Sequence, residues 1–427
     1  MPISSTGKTV ARIAAEGTRG GAGVGQAQGV AAGIQAMTSS GQGAREGRGL
    51  RLLDTEGTME GVGYRFVISN GVARVPVVVV GGTPYQMGWQ IGHLMKTEIR
   101  EFLPSALARL EAGEGISDES LDKVWATTAA YTDDRFEQEL LGIADGAGIP
   151  LRTVQHVQCL PLLMPYSCSS IAAWGKATED GHLYQTRDLD WSMKAGAHNF
   201  PALVVYLPAH GIAHVIPTFA GVAGANCGMN ADGLVLSEMG DSPARDEPYN
   251  VHAPHFMTWF RTLLWDAPNL SSALDMFRSL PLTKSYHFVF GDGRAEHRAV
   301  KIRLRATKAA GERVWIWKDD DPSDELAPNV LKDVVYQDEG RGAFPLLKKD
   351  YGRLNGERLE KIACAIPIRG GNVMDVVFDA TALRLWVSYA AGSTEAYRRP
   401  FVFLDFKSLV ADRELGAIRQ RKVASSP

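Results

Sequence analysis

After Gly148 the chain breaks into short runs of β-branched and aromatic residues: SSIAAWGKA, HLYQTRD, ALVVYLP, AHVIPTFAG and ANCGMNADGLVLSE. No other feature restricts its fold as much. Each run has the length of a strand, and turn dipeptides such as Asp180-Gly181 and Asp232-Gly233 separate them. Runs this closely spaced predict antiparallel neighbours, because a parallel pair needs a crossover of about a dozen residues or more. The texture returns at YHFVFGDG, HRAVKIRLRA, RVWIWKD, MDVVFDATALRLWVSYA and RPFVFLDF. Helical spacing is confined to 84–112, 117–146 and 254–279, with Ser271 or Ser272 as the expected N-cap of the last segment's second half. Strands and helices are grouped rather than alternating. That grouping disfavours a doubly wound parallel sheet and predicts an α+β fold of stacked antiparallel sheets flanked by helices.

The first aromatic residue in the chain is Tyr64. Residues 1–60 are rich in Gly, Ala, Ser and Gln and read as a flexible tail, since they cannot bury enough apolar area to offset their ordering entropy. At Tyr64 the run YRFVISNGVARVPVVVVGG predicts two strands about an Asn70-Gly71 turn. No linker or internal repeat divides 61–427, so one folded domain is expected. Residues 318–342, charged and punctuated by Pro and Gly, read as a surface loop or a lid.

A net charge of −3 and the lack of a Lys/Arg cluster leave nothing with which to hold a polyanion, so nucleic acid is not an expected partner. No apolar stretch approaches the length of a membrane span. Four cysteines without CxxC spacing indicate neither a disulfide framework nor a zinc ribbon. With no secretory h-region at the N-terminus, a cytoplasmic location is expected.

The stretch with chemical content is Pro165–Trp191, PYSCSSIAAWGKATEDGHLYQTRDLDW. Cys168, followed by Ser169 and Ser170, opens an apolar strand; after the turn near 179–181 a second strand ends in Arg187, Asp188, Leu189 and Asp190. Paired as a hairpin, the two strands set a thiol, a guanidinium and a carboxylate at one edge. A fixed positive charge favours thiolate, so the grouping suits nucleophilic acyl chemistry. On pattern alone, a small buried cysteine and a structural ion pair remain the commoner reading.

These residues resemble a known family. Cys168-Ser169-Ser170-Ile171, the Asp180-Gly181 turn and Arg187-Asp188-Leu189-Asp190-Trp191 are similar to the nucleophile hairpin of cysteine N-terminal-nucleophile hydrolases, in particular the isopenicillin N acyltransferase (C45 peptidase) group. Choloylglycine hydrolases and acid-ceramidase-like amidases are wider relatives of that group. Gly81-Gly82-Thr83-Pro84-Tyr85 through Gly88 and Gly92 resembles the group's first helix start, ELLGIADGAG (139–148) its helix before the nucleophile, and Cys227-Gly228-Met229-Asn230 through Leu234 its "GMN-x-x-GL" strand. The resemblance covers roughly 61–408. It implies an αββα sandwich with 61–167 as the precursor part and 168–427 as the nucleophile-bearing core. It also implies a precursor cut at Ser167-Cys168, with the freed α-amine as base for its own thiol.

The implied roles are Cys168 as nucleophile, Arg187 beside it, Asp190 as holder of the amine, and Arg358 as a second active-site arginine. The chain departs from the group at Ser167, where the acyltransferases have glycine, and at Asp188, where asparagine is usual. The asparagine that donates to the oxyanion has its nearest match at Gln337-Asp338; a carboxylate there would repel an oxyanion, which leaves Asn230 or backbone N–H groups for the task.

The substrate implied is a small acyl amide or thioester, with no cofactor and no metal; a homo-oligomer is left open. Two alternatives stand beside an amidase: an ester or phospholipid hydrolase on the same fold, and a binding protein that has lost turnover. His252 and His255 have a spacing a metal site could use, but without a third ligand they read as structural. Gly291-Asp292-Gly293 reads as a turn, and the tryptophans as core.

Overall fold

The computed structural model describes residues 56–57, 63–163, 166–240, 252–278, 282–283, 285–307, 311–368 and 370–411. The tail expected over 1–60 lies almost wholly outside the described residues.

The chain forms two stacked sheets with helices on their outer faces, the αββα arrangement expected. The larger sheet has ten strands in the order β1-β2-β3-β6-β7-β8-β9-β10-β11-β12. Its ranges are β1 (Glu56–Gly57), β2 (Tyr64–Asn70), β3 (Ala73–Gly82), β6 (Pro201–Pro208), β7 (His214–Phe219), β8 (Cys227–Asn230), β9 (Leu234–Gly240), β10 (Tyr286–Asp292), β11 (Arg298–Thr307) and β12 (Gly311–Trp317). The smaller has six in the order β13-β4-β5-β14-β15-β16: β4 (Ser167–Ala173), β5 (Tyr184–Asp190), β13 (Val334–Gln337), β14 (Asn372–Asp379), β15 (Arg384–Tyr389) and β16 (Val402–Asp405). All neighbours are antiparallel except β3 and β6, which pair in parallel because the intervening helices and the β4–β5 hairpin connect them. In β4, β5, β9 and β10 every residue is buried, as strands covered on both faces must be.

The β2–β3 hairpin turns at Gly71, whose φ of 59° only glycine adopts readily. Helix α1 (Pro84–Leu94) starts on a capping box in which Thr83 and Gln86 bond each other's backbone, with Pro84 in the first turn. Helices α2 (Lys96–Glu114), α3 (Asp118–Ala129), α4 (Asp134–Ala147), α5 (Leu151–Gln158) and α6 (Leu160–Leu163) follow before β4. The glycines of α1 and α4 interlock. A Cβ at Gly88 would lie 2.0 Å from the Glu139 carbonyl oxygen, and one at Gly142 2.2 Å from that of Tyr85; Gly92 and Gly146 repeat the relation one turn on. The glycine spacing that marks both segments therefore serves direct backbone contact between helices on the outer face of the large sheet.

Helices α7 (Phe256–Asp266) and α8 (Leu270–Arg278) break at Ala267–Asn269. The cap of α8 is Asn269, whose Oδ1 accepts from the Ser272 N–H; neither serine fills that role, because the helix already begins at Leu270. Helices α9 (Ala343–Asp350) and α10 (Gly356–Ala363) cover the smaller sheet, α10 packing on β5 and β14, and α11 (Phe406–Ala411) ends the described chain. The segment 318–342 is no lid. It supplies β13, which pairs with β4, and Asp324 in it forms a buried ion pair with Lys301 at 2.7 Å. Among the described residues no helix is long and apolar enough to cross a membrane.

Candidate active site

The register of the β4–β5 hairpin builds the site. Ser167 lies opposite Asp190, Cys168 opposite Leu189 and Ser169 opposite Asp188. Alternation along each strand sends Cys168, Arg187 and Leu189 into the space between the sheets, and Ser167, Ser169, Asp188 and Asp190 to the opposite face. The expected meeting of thiol, guanidinium and carboxylate at one strand edge is present, with the groups divided between two faces.

On the inner face Arg187 is fully buried and reaches across to β9 of the large sheet. Its Nε donates to the Glu238 carbonyl oxygen at 3.4 Å, and its Nη2 stands 3.8 Å from the Glu238 carboxylate. Neither terminal nitrogen has a hydrogen-bond partner among the described residues. Burial pushes the Cys168 thiol well above its ordinary range; the Arg187 charge works against this, and the Glu238 and Asp190 carboxylates add to it. Burial likewise holds Cys227 up to about 12. Arg187 and Glu238 also line a mainly apolar cavity that Phe102, Phe219 and Phe256 help to wall. Tyr166, two residues before Cys168, sits at the same place and donates its hydroxyl to Glu238 Oε1 at 2.7 Å.

On the outer face Arg341 pairs with Asp190 at 2.6 Å and donates through Nη2 to the backbone carbonyl of Cys168. Its Nε and Nη1 also reach the carbonyls of Asp338 and Pro367. Beside this clamp lies a carboxyl cluster. Asp188 and Asp375 face each other on β5 and β14; Ser169 donates to one at 2.6 Å and Asn372 to the other at 2.6 Å. Burial, with the neighbouring carboxylates, raises Asp188 to about 7 and Asp375 well above the usual range.

Two expected site residues are not brought to this group. Asn230 holds the β8–β9 turn: its Oδ1 accepts from the Asp232 and Leu234 N–H groups at 3.1 Å each, and its Nδ2 donates to the Ala267 carbonyl at 2.9 Å. Its amide is committed to the turn and to the end of α7, whereas Asn226, whose Oδ1 has no hydrogen-bond partner among the described residues, lines the cavity. Arg358 bonds Asp350 at 3.2 Å with a side chain 37% exposed. The apolar stripe of α10, Leu359 and Ile362, faces the sheet and turns Arg358 outward; the arginine beside Cys168 and Asp190 on this face is Arg341. The Asp338 carboxylate accepts from the Gly340 and Ala343 N–H groups, at the start of α9. His255 caps α7 through Nδ1, and His297 bridges the Gly181 and Gly293 carbonyls in a turn rather than lying in a strand. Of the residues not anticipated, Glu238 and Asp375 carry a signal, a carboxylate inside an apolar strand run; Arg341 carries none.

No family model matches the chain. It is 27% identical over 295 residues to protein dcd1B of Dictyostelium discoideum, covering 62% of this chain and 57% of that protein. Against protein dcd1A of the same organism it is 24% identical, covering 78% of this chain and 85% of the relative. The chain thus spans little more than half the length of dcd1B. Among solved structures it is similar to a Caenorhabditis elegans ortholog of N-acylethanolamine-hydrolyzing acid amidase, at 16% identity over 56% of this chain and 100% of that one, with a TM-score of 0.38. It is also similar to penicillin V acylase from Agrobacterium tumefaciens, at 12% identity over 56% of this chain and 86% of that one, TM-score 0.38.

Proposed function

We propose that the chain is a self-processing cysteine amidohydrolase or acyltransferase of the N-terminal-nucleophile type, acting on an acyl amide. The observation that carries this reading is the register of one hairpin, which sets Asp190 opposite Ser167 and Cys168 on the face of Arg187, at the first two residues of a strand. In self-cleavage the Cys168 sulfur attacks the Ser167 carbonyl carbon, the 167–168 C–N bond breaks as the nitrogen takes the thiol proton, and water hydrolyses the resulting thioester. The products are a Ser167 carboxylate and a Cys168 with both a free amine and a free thiol. The new ammonium then lies against Asp190, already fixed by Arg341.

In turnover the amine takes the thiol proton, and sulfur attacks the substrate carbonyl. The substrate C–N bond breaks, the departing nitrogen takes the proton, and water or another amine releases the acyl group. Arg187 stabilises the thiolate, and Asn226 with backbone N–H groups supplies donors for the oxyanion.

Mass spectrometry of the purified chain, followed by a panel of acyl amides, esters and thioesters, tests the reading. A fragment that begins at Cys168 and an acyl adduct on that residue are expected. An uncut chain that forms no adduct with any member of the panel rejects it.

A further inference from the structure

Resting on that reading, we propose that Glu339 is the general base of self-cleavage, the carboxylate that activates the water which hydrolyses the Ser167 thioester.

The turn that follows β13 brackets the 167–168 bond. β13 ends with Gln337 opposite Ser170, so the antiparallel path of the next residues runs toward the start of β4. From this turn Arg341 donates to the Cys168 carbonyl oxygen on one side of the bond. On the other side Glu339 Oε2 accepts from the Ser167 hydroxyl at 3.2 Å. Asp190, the other carboxylate level with Ser167, is engaged by Arg341.

The backbone holds Glu339 in place at a cost. Its φ is 52°, a left-handed conformation that a residue with a Cβ adopts rarely and that recurs at functional sites. The Glu339 N–H donates to Gln337 Oε1 and the Gly340 N–H to Asp338 Oδ1, each at 3.0 Å, which fixes the turn. Ser167 is buried and Glu339 half-buried, so the carboxylate reaches both the scissile residue and the solvent that supplies water.

The first half of self-cleavage moves the Ser167 acyl group from nitrogen to sulfur and needs no water. The second half does. Glu339 takes one proton from a water molecule as the water oxygen bonds to the Ser167 carbonyl carbon. The C–S bond then breaks with its electron pair on sulfur, which receives that proton, and the new Ser167 acid loses its remaining proton to solvent.

The experiment is a time course of self-cleavage in the full chain, read by mass spectrometry with and without neutral hydroxylamine, a nucleophile that splits a thioester without a base. The native chain should be cut at 167–168. Glu339→Gln should be cut about a hundredfold more slowly, a typical general-base contribution, and should persist as the thioester. Hydroxylamine should then release the fragment beginning at Cys168 and leave a hydroxamate on Ser167. Glu339→Asp keeps the carboxylate and should be cut faster than Glu339→Gln. Cleavage of Glu339→Gln at the native rate, equal slowness of the two variants, or a Glu339→Gln chain that hydroxylamine leaves whole overturns the inference, while a native chain cut at 167–168 keeps the reading it rests on. A native chain neither cut nor split by hydroxylamine overturns both.

Discussion

Arg341 bonds the Asp190 carboxylate at 2.6 Å and, through its other terminal nitrogen, the backbone carbonyl of Cys168, so one guanidinium ties the start of β4 to the end of β5. Both side chains are almost fully buried. Removing one partner of such a pair leaves an uncompensated charge and costs about 3–5 kcal/mol. Arg341→Leu should therefore lower stability by that amount in urea titration. Arg358→Ala, at a half-exposed pair with Asp350, should stay within about 0.5 kcal/mol. Equal effects of the two would show that Arg341 is not the buried clamp.

The nucleophile assignment predicts that Cys168→Ala abolishes turnover and leaves the 167–168 bond intact, because one sulfur serves both reactions. Cys168→Ser should process more slowly, a hydroxyl being the poorer nucleophile. An alanine variant that yields a normal Cys168-side fragment on a gel would remove Cys168 from the mechanism.

Arg187→Lys keeps the charge but loses the planar fork, which now stands 3.8 Å from the Glu238 carboxylate and whose charge favours the Cys168 thiolate. Turnover should fall by at least about tenfold, with a thermal midpoint that shifts by only a few degrees. Near-normal turnover would limit Arg187 to a structural pairing with Glu238.

How far the site was legible followed from distance along the chain. Cys168, Arg187 and Asp190 could be placed because a single turn fixes the register of both strands, and the glycines of α1 and α4 were visible as spacing before their contact was known. Arg341 reaches Cys168 from 173 residues away, out of a segment whose composition reads as loop. Only the pairing of β13 with β4 brings it there. Whether Arg358 points toward the site depends on which face α10 turns to the sheet, which apolar spacing suggests but which partner strands decide. Asn230 showed the opposite failure: a motif asparagine whose amide is taken up by the β8–β9 turn and the end of α7.

The Asp188–Asp375 pair predicts a pH dependence of stability. Asp188 is raised in the folded chain to about 7 from an unfolded value of about 4. The fold thus favours its protonated form, and the stability this gives is fully present below pH 4 and lost as pH rises from about 4 to about 7. Asp188→Asn keeps an acceptor for Ser169 and does not ionise. Its thermal midpoint relative to the native chain should be more favourable at pH 8 than at pH 4.5. An equal difference at both values would mean that the two carboxyls do not share the burial cost.

The last expectation concerns Asp190, whose partner changes if the 167–168 bond is cut as proposed. In the uncut chain it serves Arg341 and lies 3.4 Å from the Asn372 amide. Once the α-amine of Cys168 is free, it lies opposite the cut residue and takes the ammonium as well. That amine must be partly unprotonated near neutral pH to accept the thiol proton, and its ordinary value of about 8 is close to what is needed. Asp190 stabilises the protonated form, so Asp190→Asn should lower the amine pKa and move the acidic limb of the rate profile to lower pH. It should also reduce turnover by about a hundredfold, since the amine is less firmly placed. Both quantities come from one set of kcat values measured from pH 5 to pH 9. If turnover and the acidic limb both stay where they are in the native enzyme, Asp190 does not hold the amine, and the base in this site has to be sought in another group.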